Sequence, residues 1–515
     1  MMFFEENYLY SHQKSNITTM KKQFINSILA LLLLASHVCA QVNDLPRSTP
    51  EREGVPSATV SALLDSLFAI PQTDIHSVMM LRHGKVIAEV YPEPFKAEYQ
   101  HTQYSCSKTF VSAAVGLAVD ANLLRVTDRV ATFFPGKLPA EVTPELAAMT
   151  IHDLLIMASG INPDGNLRAE NTYWLQPLLA KPVSTPGKQF KYDSLCTYLL
   201  SAIVQQVTGK TVFAYLQEKI FKDLHIEKVS WEESPEGITT GGWGLFIQPE
   251  SLAKMGQLLL QKGQWNGKQL LSETWVSQMM HSHIDTGGGR GYGYQMWEAS
   301  KDGAFRADGR FGQYIVVMPQ QDMVVVITQC SNSPNPWVVS QVLAPAVQPG
   351  TLMADKGYQA LQKKLQSYRY PTPSGKAKSS FTKNLAGKTF KLTDNQFGWR
   401  DISFNQGDKR LTVTITDAQG IRSELSAGYR QWLTTWTPAR PPYSMNAQQK
   451  FKGIQGDFAV AASYGWTSTN TLHLNLQYVN WISALDITLT FQGDKVNITV
   501  HKNYEPDVPQ FTGAI

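Results

Sequence analysis

The sequence predicts an α+β domain, an antiparallel sheet flanked by helices, followed by an all-β domain built as a barrel or a sandwich. Three observations carry that reading. Between about residues 55 and 350, helical stretches fall between early and late pairs of short apolar strands, the order of an α+β sandwich. From about Leu385 onward, period-two alternation with regular turn signals takes over, as in closed or two-layer β architectures. Between them, Pro371–Lys378 is rich in Pro, Ser, Gly and Lys, the composition of a linker.

Taken in order, residues 1–40 read as an N-terminal extension and an export signal whose true start is Met20. Met20-Lys21-Lys22 is a basic n-region, Ile28 to Ala35 an apolar h-region, and Val38-Cys39-Ala40 the fairly small residues before cleavage. The apolar run is shorter than the about 20 residues that span a bilayer. No transmembrane segment is therefore expected after cleavage, and the product is expected to be exported, periplasmic or secreted. Cys39 suggests lipid attachment as the alternative, but Val38 is large for the residue before a lipidated cysteine.

Residues 41–365 then form the α+β domain. Val78–Leu81 and Val86–Val90 flank Arg82-His83-Gly84-Lys85 as a hairpin, and Ile315–Met318 pairs with Met323–Ile327 across Pro319-Gln320-Gln321-Asp322. Leu195–Val207 and Val212–Phe221 read as helices parted by Thr208-Gly209-Lys210. Residues 366–384 are the linker and 385–515 the β domain, with strands at Leu411–Ile415, Leu472–Leu476 and Ile487–Phe491 and turns at Asp417–Gly420 and Gln492–Asp494. Its tryptophans Trp399, Trp432, Trp436, Trp466 and Trp481 either pack a core or present a surface for sugar or peptide.

At 515 residues the chain has room for two or three domains. Its 46 basic and 42 acidic residues leave a formal charge of +4 and no basic tract, so no nucleic-acid partner is expected. After signal cleavage Cys106, Cys196 and Cys330 remain, an odd number at wide spacing that is neither a disulfide framework nor a metal set. His281-Ser282-His283 with Asp285 could be a metal hook, but a flexible Thr286–Gly289 stretch follows and no cysteine is near. Neither a metal nor a cofactor is expected.

The chemistry is carried by Tyr104-Ser105-Cys106-Ser107-Lys108, which runs into an uncharged stretch from Val111 to Val119. Residues at i and i+3 share a helix face with Cβ atoms roughly 5–6 Å apart, so the Lys108 amine can reach the Ser105 hydroxyl. A helix start also offers partly positive N–H groups to a developing oxyanion. Burial should ease loss of the lysine proton, leaving an amine able to deprotonate Ser105.

The same spacing recurs at Ser11/Lys14, Ser251/Lys254 and Ser380/Lys383. Ser11 precedes the export signal and Ser380 follows the linker stretch, so neither has a helix to organise it. The Ser251 helix carries Lys254, Gln257, Gln261 and Lys262 among its leucines, which places Lys254 on a solvated face. From Phe110 to Val119 the only polar side chain is Ser112, and a helix apolar all round is buried. A helix cap beside an unrelated lysine is the plainer alternative.

Two further motifs lie downstream. Pro186 to Ser194 is a turn that delivers Tyr192 just before a helix; such a tyrosine can relay a proton if nearby cations lower its pKa from about 10, or it simply packs the helix start. Ala307-Asp308-Gly309-Arg310-Phe311-Gly312-Gln313 leads into a strand, and glycines there mark either a close ligand approach or a plain turn with a bulge. An N–H from this entrance could complete an oxyanion hole with that of Ser105.

Ser105-Cys106-Ser107-Lys108, Tyr192-Asp193-Ser194 and the glycine-rich strand entrance, in that order, resemble the serine β-lactamase and penicillin-binding-protein superfamily with its S-x-x-K signature. Within it the chain is similar to the class C-like esterases, D-aminopeptidases and 6-aminohexanoate-dimer hydrolases, which carry Tyr-x-Asn or Tyr-x-Ser. The resemblance runs from about Arg47-Ser48-Thr49-Pro50 to Cys330, through Leu81-Arg82-His83-Gly84, His152-Asp153-Leu154-Leu155, Gly241-Gly242-Trp243-Gly244 and Tyr292-Gly293-Tyr294-Gln295.

The resemblance implies a β-lactamase-like sheet with an all-α subdomain and no cofactor. It also implies Ser105 as acyl-enzyme nucleophile, Lys108 as its base or hydrogen-bond partner, and Tyr192 as general base or acid. Ser194 would stand where Asn is usual, and Arg310 would offer its N–H to the oxyanion, with Gly309 and Gln313 on the same substrate-binding edge. One departure matters. The Lys-Thr-Gly or His-x-Gly box is here Ala307-Asp308-Gly309, so the cation that supports recognition of a carboxylate is gone, and Asp308 adds negative charge unless Arg310 neutralises it.

The expected function is thus an exported serine hydrolase acting on a small-molecule ester, amide or small peptide. The alternatives are an acyltransferase to a hydroxylated acceptor, a β-lactamase or D,D-peptidase, and a non-catalytic binding or sensor protein. Substrate identity belongs to pocket loops such as Asp164 to Tyr173.

Overall fold

A computed structural model describes residues 45–515 apart from 163–166, 168–172, 182, 354–355 and 443–456. The export signal, Ser11/Lys14 and most of Asp164 to Tyr173 lie outside the described residues.

His83 and Gly84 both take positive φ, 49° and 71°, the geometry of a tight hairpin turn, and they join β1 (Thr73–Arg82) to β2 (Lys85–Val90). The later strands are β3 (Ile284–Asp285), β4 (Gly291–Tyr292), β5 (Trp297–Glu298), β6 (Phe305–Gly309), β7 (Gln313–Met318) and β8 (Met323–Ser331). All pair antiparallel in the order β2-β1-β8-β7-β6-β5-β4-β3. Strands β7 and β8 are buried throughout, which is why they read as unbroken apolar runs.

Six helices organise the domain: α1 (Ser57–Phe68), α2 (Ser107–Asp120), α3 (Ser194–Thr208), α4 (Pro249–Leu260), α5 (Val338–Leu343) and α6 (Lys356–Ser367). Helices α1, α5 and α6 close one face of the sheet in a single apolar cluster with Ile75, Val78, Met80, Val316 and Val325. On the other face α4 lies so close that a Cβ at Gly256 would sit 2.5 Å from Val324. Helix α3 starts on the side chain of Asp193, which accepts from Leu195 N, and stops at Gly209 with φ 68°. The expected second helix is split, α-helical over Val212–Leu216 and a π turn over Gln217–Phe221.

Two expectations about the competing Ser/Lys pairs are corrected. Lys254 is buried, 5% exposed, because α4 is covered on its polar side as well, and its ammonium points to the carbonyl of His225 at 3.5 Å. Ser380–Asn384 does form a short 3-10 turn, at the surface.

The β domain resolves as a barrel rather than a sandwich. Its strands are β9 (Thr389–Leu392), β10 (Trp399–Gln406), β11 (Arg410–Asp417), β12 (Arg422–Tyr429), β13 (Leu433–Thr437), β14 (Phe458–Trp466), β15 (Thr471–Tyr478), β16 (Ala484–Gln492), β17 (Lys495–Lys502) and β18 (Gln510–Ala514). Nine of them run β12-β11-β10-β9-β18-β17-β16-β15-β14, and parallel pairing of Ala427 with Ala462 and of Tyr429 with Tyr464 closes the ring. Strand β13 adds outside that ring, on β14. Closure removes exposed edges. The linker stretch is strapped to the barrel, with Lys376 bridged to Trp466 and the Tyr429 and Tyr464 hydroxyls donating to the carbonyls of Gly375 and Ala377 at 2.8 and 2.9 Å.

The described residues from Pro46 to Ile515 pack as one body. At the joint of sheet and barrel, Asn503 Nδ2 donates to Asp74 Oδ2 at 2.9 Å, Thr102 N donates to Asn480 O at 3.1 Å, and Tyr370 Oη donates to Ile75 O at 2.9 Å. Here His76 Nδ1 and His101 Nε2 are 2.8 Å apart, and His101 Nδ1 faces Thr102 O at 2.8 Å. Burial holds His76 well below its ordinary value, with His101 reinforcing the effect, and burial lowers His101 to about 4 against hydrogen bonds to the Thr102 and Trp481 carbonyls.

Both imidazoles bind fewer protons folded than unfolded. Their contribution to stability is therefore complete above an unfolded pKa of about 6.5 and is lost as pH falls toward 4. Urea midpoints should drop across that window, and a His76→Phe/His101→Gln double variant should flatten the drop.

Candidate active site

Tyr104 has φ +43°, a left-handed conformation that costs a non-glycine residue on the order of 1–3 kcal/mol. It opens a 3-10 turn, Tyr104–Cys106, that runs directly into α2, so Ser105 stands at the mouth of the helix. All of Ser107 to Ala118 is buried, and Lys108 is 1% exposed. Lys108 Nζ donates to Ser105 Oγ at 2.9 Å, to Ser194 Oγ at 3.0 Å and to the carbonyl of Gly242 at 2.6 Å. Three acceptors satisfy an ammonium fully; an amine keeps two donors and turns its lone pair to a hydroxyl.

Gly242 is fixed by this contact. A Cβ there would lie 2.5 Å from Ser194 O and 2.8 Å from Ser194 Cβ. Gly242→Ala should displace Ser194 and the lysine together and slow acylation by about 10²-fold, the cost of a misplacement near 1 Å, as read by the rate of fluorophosphonate labelling.

Tyr192 lines the same cavity as Ser105 and lies under Lys108, whose Nζ is 4.8 Å from the ring centroid. The condition that nearby cations lower its pKa is not met. Burial pushes the phenol well above its ordinary value and Asp308 adds to this, against the pull of the nearby Ser105 hydroxyl. Tyr192 is thus a neutral proton donor at rest rather than a phenolate base. With the folded pKa raised, its ionisation should remove no activity until pH exceeds about 10. A pH profile of kcat/KM on an activated ester checks this, and Tyr192→Phe should lower the plateau by about 10²-fold or more.

Strand β6 forms the opposite wall. Arg306 and Asp308 lie two residues apart on one face, level with Trp297 of β5. Arg306 Nε donates to Asp308 Oδ2 at 2.8 Å and its Nη1 to Glu298 O at 3.0 Å, while its guanidinium lies 4.3 Å from the Trp337 ring centroid. The neutralising partner of Asp308 is therefore Arg306 and not Arg310. Burial still raises the Asp308 carboxyl above its usual range, Arg306 opposing.

Gly309 is packed so tightly that a Cβ would come 2.4 Å from Gln103 O, which lets β6 approach the nucleophile segment. Gln313 does not face substrate. It is fully buried, and its amide donates to Arg310 O at 3.1 Å and Gln329 O at 2.6 Å.

These elements enclose a cavity of about 370 Å³ lined by Tyr104, Ser105, Tyr192, Ser194, Gly242 and Trp243, with Trp297, Arg306, Asp308 and Arg310. Five residues singled out from sequence thus share one space: Ser105, Tyr192, Ser194, Asp308 and Arg310, with Lys108 behind them. The Gly242 carbonyl, Trp243, Trp297 and Arg306 were not anticipated as site residues. A larger cavity, about 800 Å³, opens in the barrel beside Phe397, Trp399 and Arg440, but its described lining holds no serine–lysine pair.

Cys106, Cys196 and Cys330 are free and buried. Burial holds the Cys106 thiol well above its usual range, and Sγ donates to Gln313 O at 3.1 Å, so this neighbour of Ser105 is a packing residue. His283 stacks on Tyr294 with ring centroids 4.3 Å apart, and Asp285 accepts from Gly287 N at 2.6 Å. Among the described residues no group of three His, Cys, Asp or Glu is placed to hold a metal.

The sequence profile of the beta-lactamase family matches residues 72–342. Among curated proteins, the 6-aminohexanoate-dimer hydrolase of Paenarthrobacter ureafaciens is 22% identical over 315 residues, 54% of this chain and 78% of that protein. An uncharacterized protein of Alkalihalophilus pseudofirmus is 24% identical over 224 residues, 38% of this chain and 61% of its own length. Among solved structures, a provisionally assigned 6-aminohexanoate-dimer hydrolase from Bacillus anthracis superposes with a TM-score of 0.50 at 20% identity, covering 59% of this chain and 87% of that one. That last likeness is one of fold.

Proposed function

Because the chain belongs to the beta-lactamase family, matched over residues 72–342, we propose that it hydrolyses a small ester, amide or peptide through an acyl-enzyme on Ser105. The observation that carries this is a single hydroxyl, Ser105 Oγ, that accepts from a buried lysine at 2.9 Å and shares a cavity with Tyr192.

In the proposed reaction Ser105 attacks the carbonyl and passes its proton to Lys108, while the N–H groups of Ser105 and Arg310 hold the oxyanion. The neutral Tyr192 phenol protonates the leaving alcohol or amine, and the Lys108 ammonium restores the phenol. Water then enters, gives up a proton along the same pair, and releases the acid as Ser105 is reprotonated.

The box at residues 307–309 bears on the substrate. Ala307 supplies no cation, and the Arg306 guanidinium is already committed to Asp308, so a substrate carboxylate finds no ready receptor on this strand. This favours uncharged acyl donors over β-lactams and muropeptides. The name of the Paenarthrobacter relative likewise supports a small-molecule substrate. The export signal read in residues 20–40 adds, within the same proposal, a periplasmic or secreted site of action.

The test is a panel of p-nitrophenyl esters, amides and D-amino-acid amides, run with and without a hydroxylated acceptor, beside fluorescent penicillin. Release of free acid and weak penicillin labelling are expected. Acyl groups found solely on the acceptor would replace hydrolysis by transfer, and efficient penicillin turnover would overturn the substrate reading.

A further inference from the structure

A barrel side chain packs against the residue that precedes Ser105. Trp481, 2% exposed in the loop between β15 and β16, sets its ring edge-on to Tyr104, with centroids 6.1 Å apart, and stacks on Phe246 at 5.4 Å. Tyr104 in turn meets Phe311 at 5.9 Å. Tyr104, Phe311 and Phe246 belong to the same buried cluster as the barrel core, although all three lie in the α+β domain. A backbone tie runs alongside, from Thr102 N to Asn480 O at 3.1 Å.

This places the indole behind two residues that need holding. Tyr104 and Phe311 are both in the left-handed region, at φ +43° and +62°, and neither is a glycine. Each is the immediate neighbour of a proposed oxyanion donor, Tyr104 of Ser105 and Phe311 of Arg310. A rotation at Tyr104 would re-aim the Ser105 N–H, and a displacement of the Phe311 ring would move the turn that carries Arg310. A line of three rings thus joins the barrel to both halves of the oxyanion site, with Trp481 at its barrel end.

We infer that Trp481 is a positioning residue for catalysis, and that the C-terminal barrel is a structural part of the acylation site rather than an appended binding module. The inference rests on Ser105 being the nucleophile. Trp481 touches no reacting atom; it acts through Tyr104 and Phe311, fixing the spacing between the two donors. Since those donors serve the oxyanion more than the ground-state carbonyl, loss of the ring should lower kcat while leaving KM nearly unchanged.

The experiment uses the full chain and compares Trp481→Leu and Trp481→Phe with Trp466→Leu, a buried ring at the far end of β14 from Phe458, which contacts Trp481. The readouts are the second-order rate of fluorophosphonate acylation, kcat and KM on a p-nitrophenyl ester, and the urea midpoint. Trp481→Leu should acylate about 10-fold or more slowly, through kcat, and Trp481→Phe should recover most of the rate. Trp466→Leu should lose stability yet acylate at the wild-type rate.

Wild-type acylation by folded Trp481→Leu, or equal slowing in Trp466→Leu, would overturn the inference. If Trp481→Leu does not accumulate folded, Trp481→Met, which fills the space without a ring plane, takes its place: slowed acylation supports the positioning role and the wild-type rate overturns it. Failure of the wild-type protein to label at all would instead count against Ser105 as nucleophile, so the two failures are distinct.

Discussion

Ser105→Ala is expected to remove all fluorophosphonate labelling and to lower turnover of any accepted ester by about 10³- to 10⁶-fold, the range seen when a serine nucleophile is deleted. In the proposed mechanism Ser105 closes a proton path: Lys108 Nζ sits 2.9 Å from its oxygen and Tyr192 lines the same cavity. Alanine leaves the lysine its bonds to Ser194 and Gly242, so the fold should persist and the urea midpoint should change little. A large activity loss without a stability loss separates a reacting group from a packing one.

Lys108→Met is expected to cost about 10²- to 10⁴-fold in acylation rate, the usual contribution of a positioned proton carrier. Methionine matches the length of the stem but has no nitrogen, so it also strands the carbonyl of Gly242, an acceptor that the lysine meets at 2.6 Å. That loss should lower stability by about 1–3 kcal/mol, the penalty for an unsatisfied buried polar group. Lys108→Arg decides what the lysine does. Guanidinium keeps the charge but cannot take a proton near neutrality. Arg and Met variants falling together would mark a proton carrier, whereas substantial activity in the Arg variant would mark a fixed cation.

Much of this site was legible in the sequence because the signals were local. Ser105 and Lys108 announce themselves by one helical turn and an uncharged stretch, and the β1–β2 hairpin by His83-Gly84. Three strands of the β domain were equally plain from their alternation, although the choice between barrel and sandwich was not. What was misread depended on tertiary cover. Lys254 sits on a polar-looking helix face, yet that face is buried against a second layer that no local pattern reveals.

The Gly242 carbonyl is a backbone acceptor with no side-chain signature; the glycines around Trp243 were the one available clue. Arg306 was the nearer partner of Asp308 all along, since residues two apart on a strand share a face while Arg310 already lies in the turn that follows it. Trp481 could not be singled out from its four fellow tryptophans, because its role depends on contact between segments far apart in the chain. Gln313 was mistaken for a substrate contact because a polar residue at a strand entrance looks the same whether it faces a ligand or the interior.

The most direct test of the acyl-enzyme is peptide mapping by mass spectrometry after the wild-type protein has been treated with a fluorophosphonate, with a slowly hydrolysed ester in parallel. Both adducts should fall on Ser105, at one per chain, and both should be absent from Ser105→Ala. An adduct on any other residue, or ester turnover with no covalent species and equal activity in Ser105→Ala, would contradict the account.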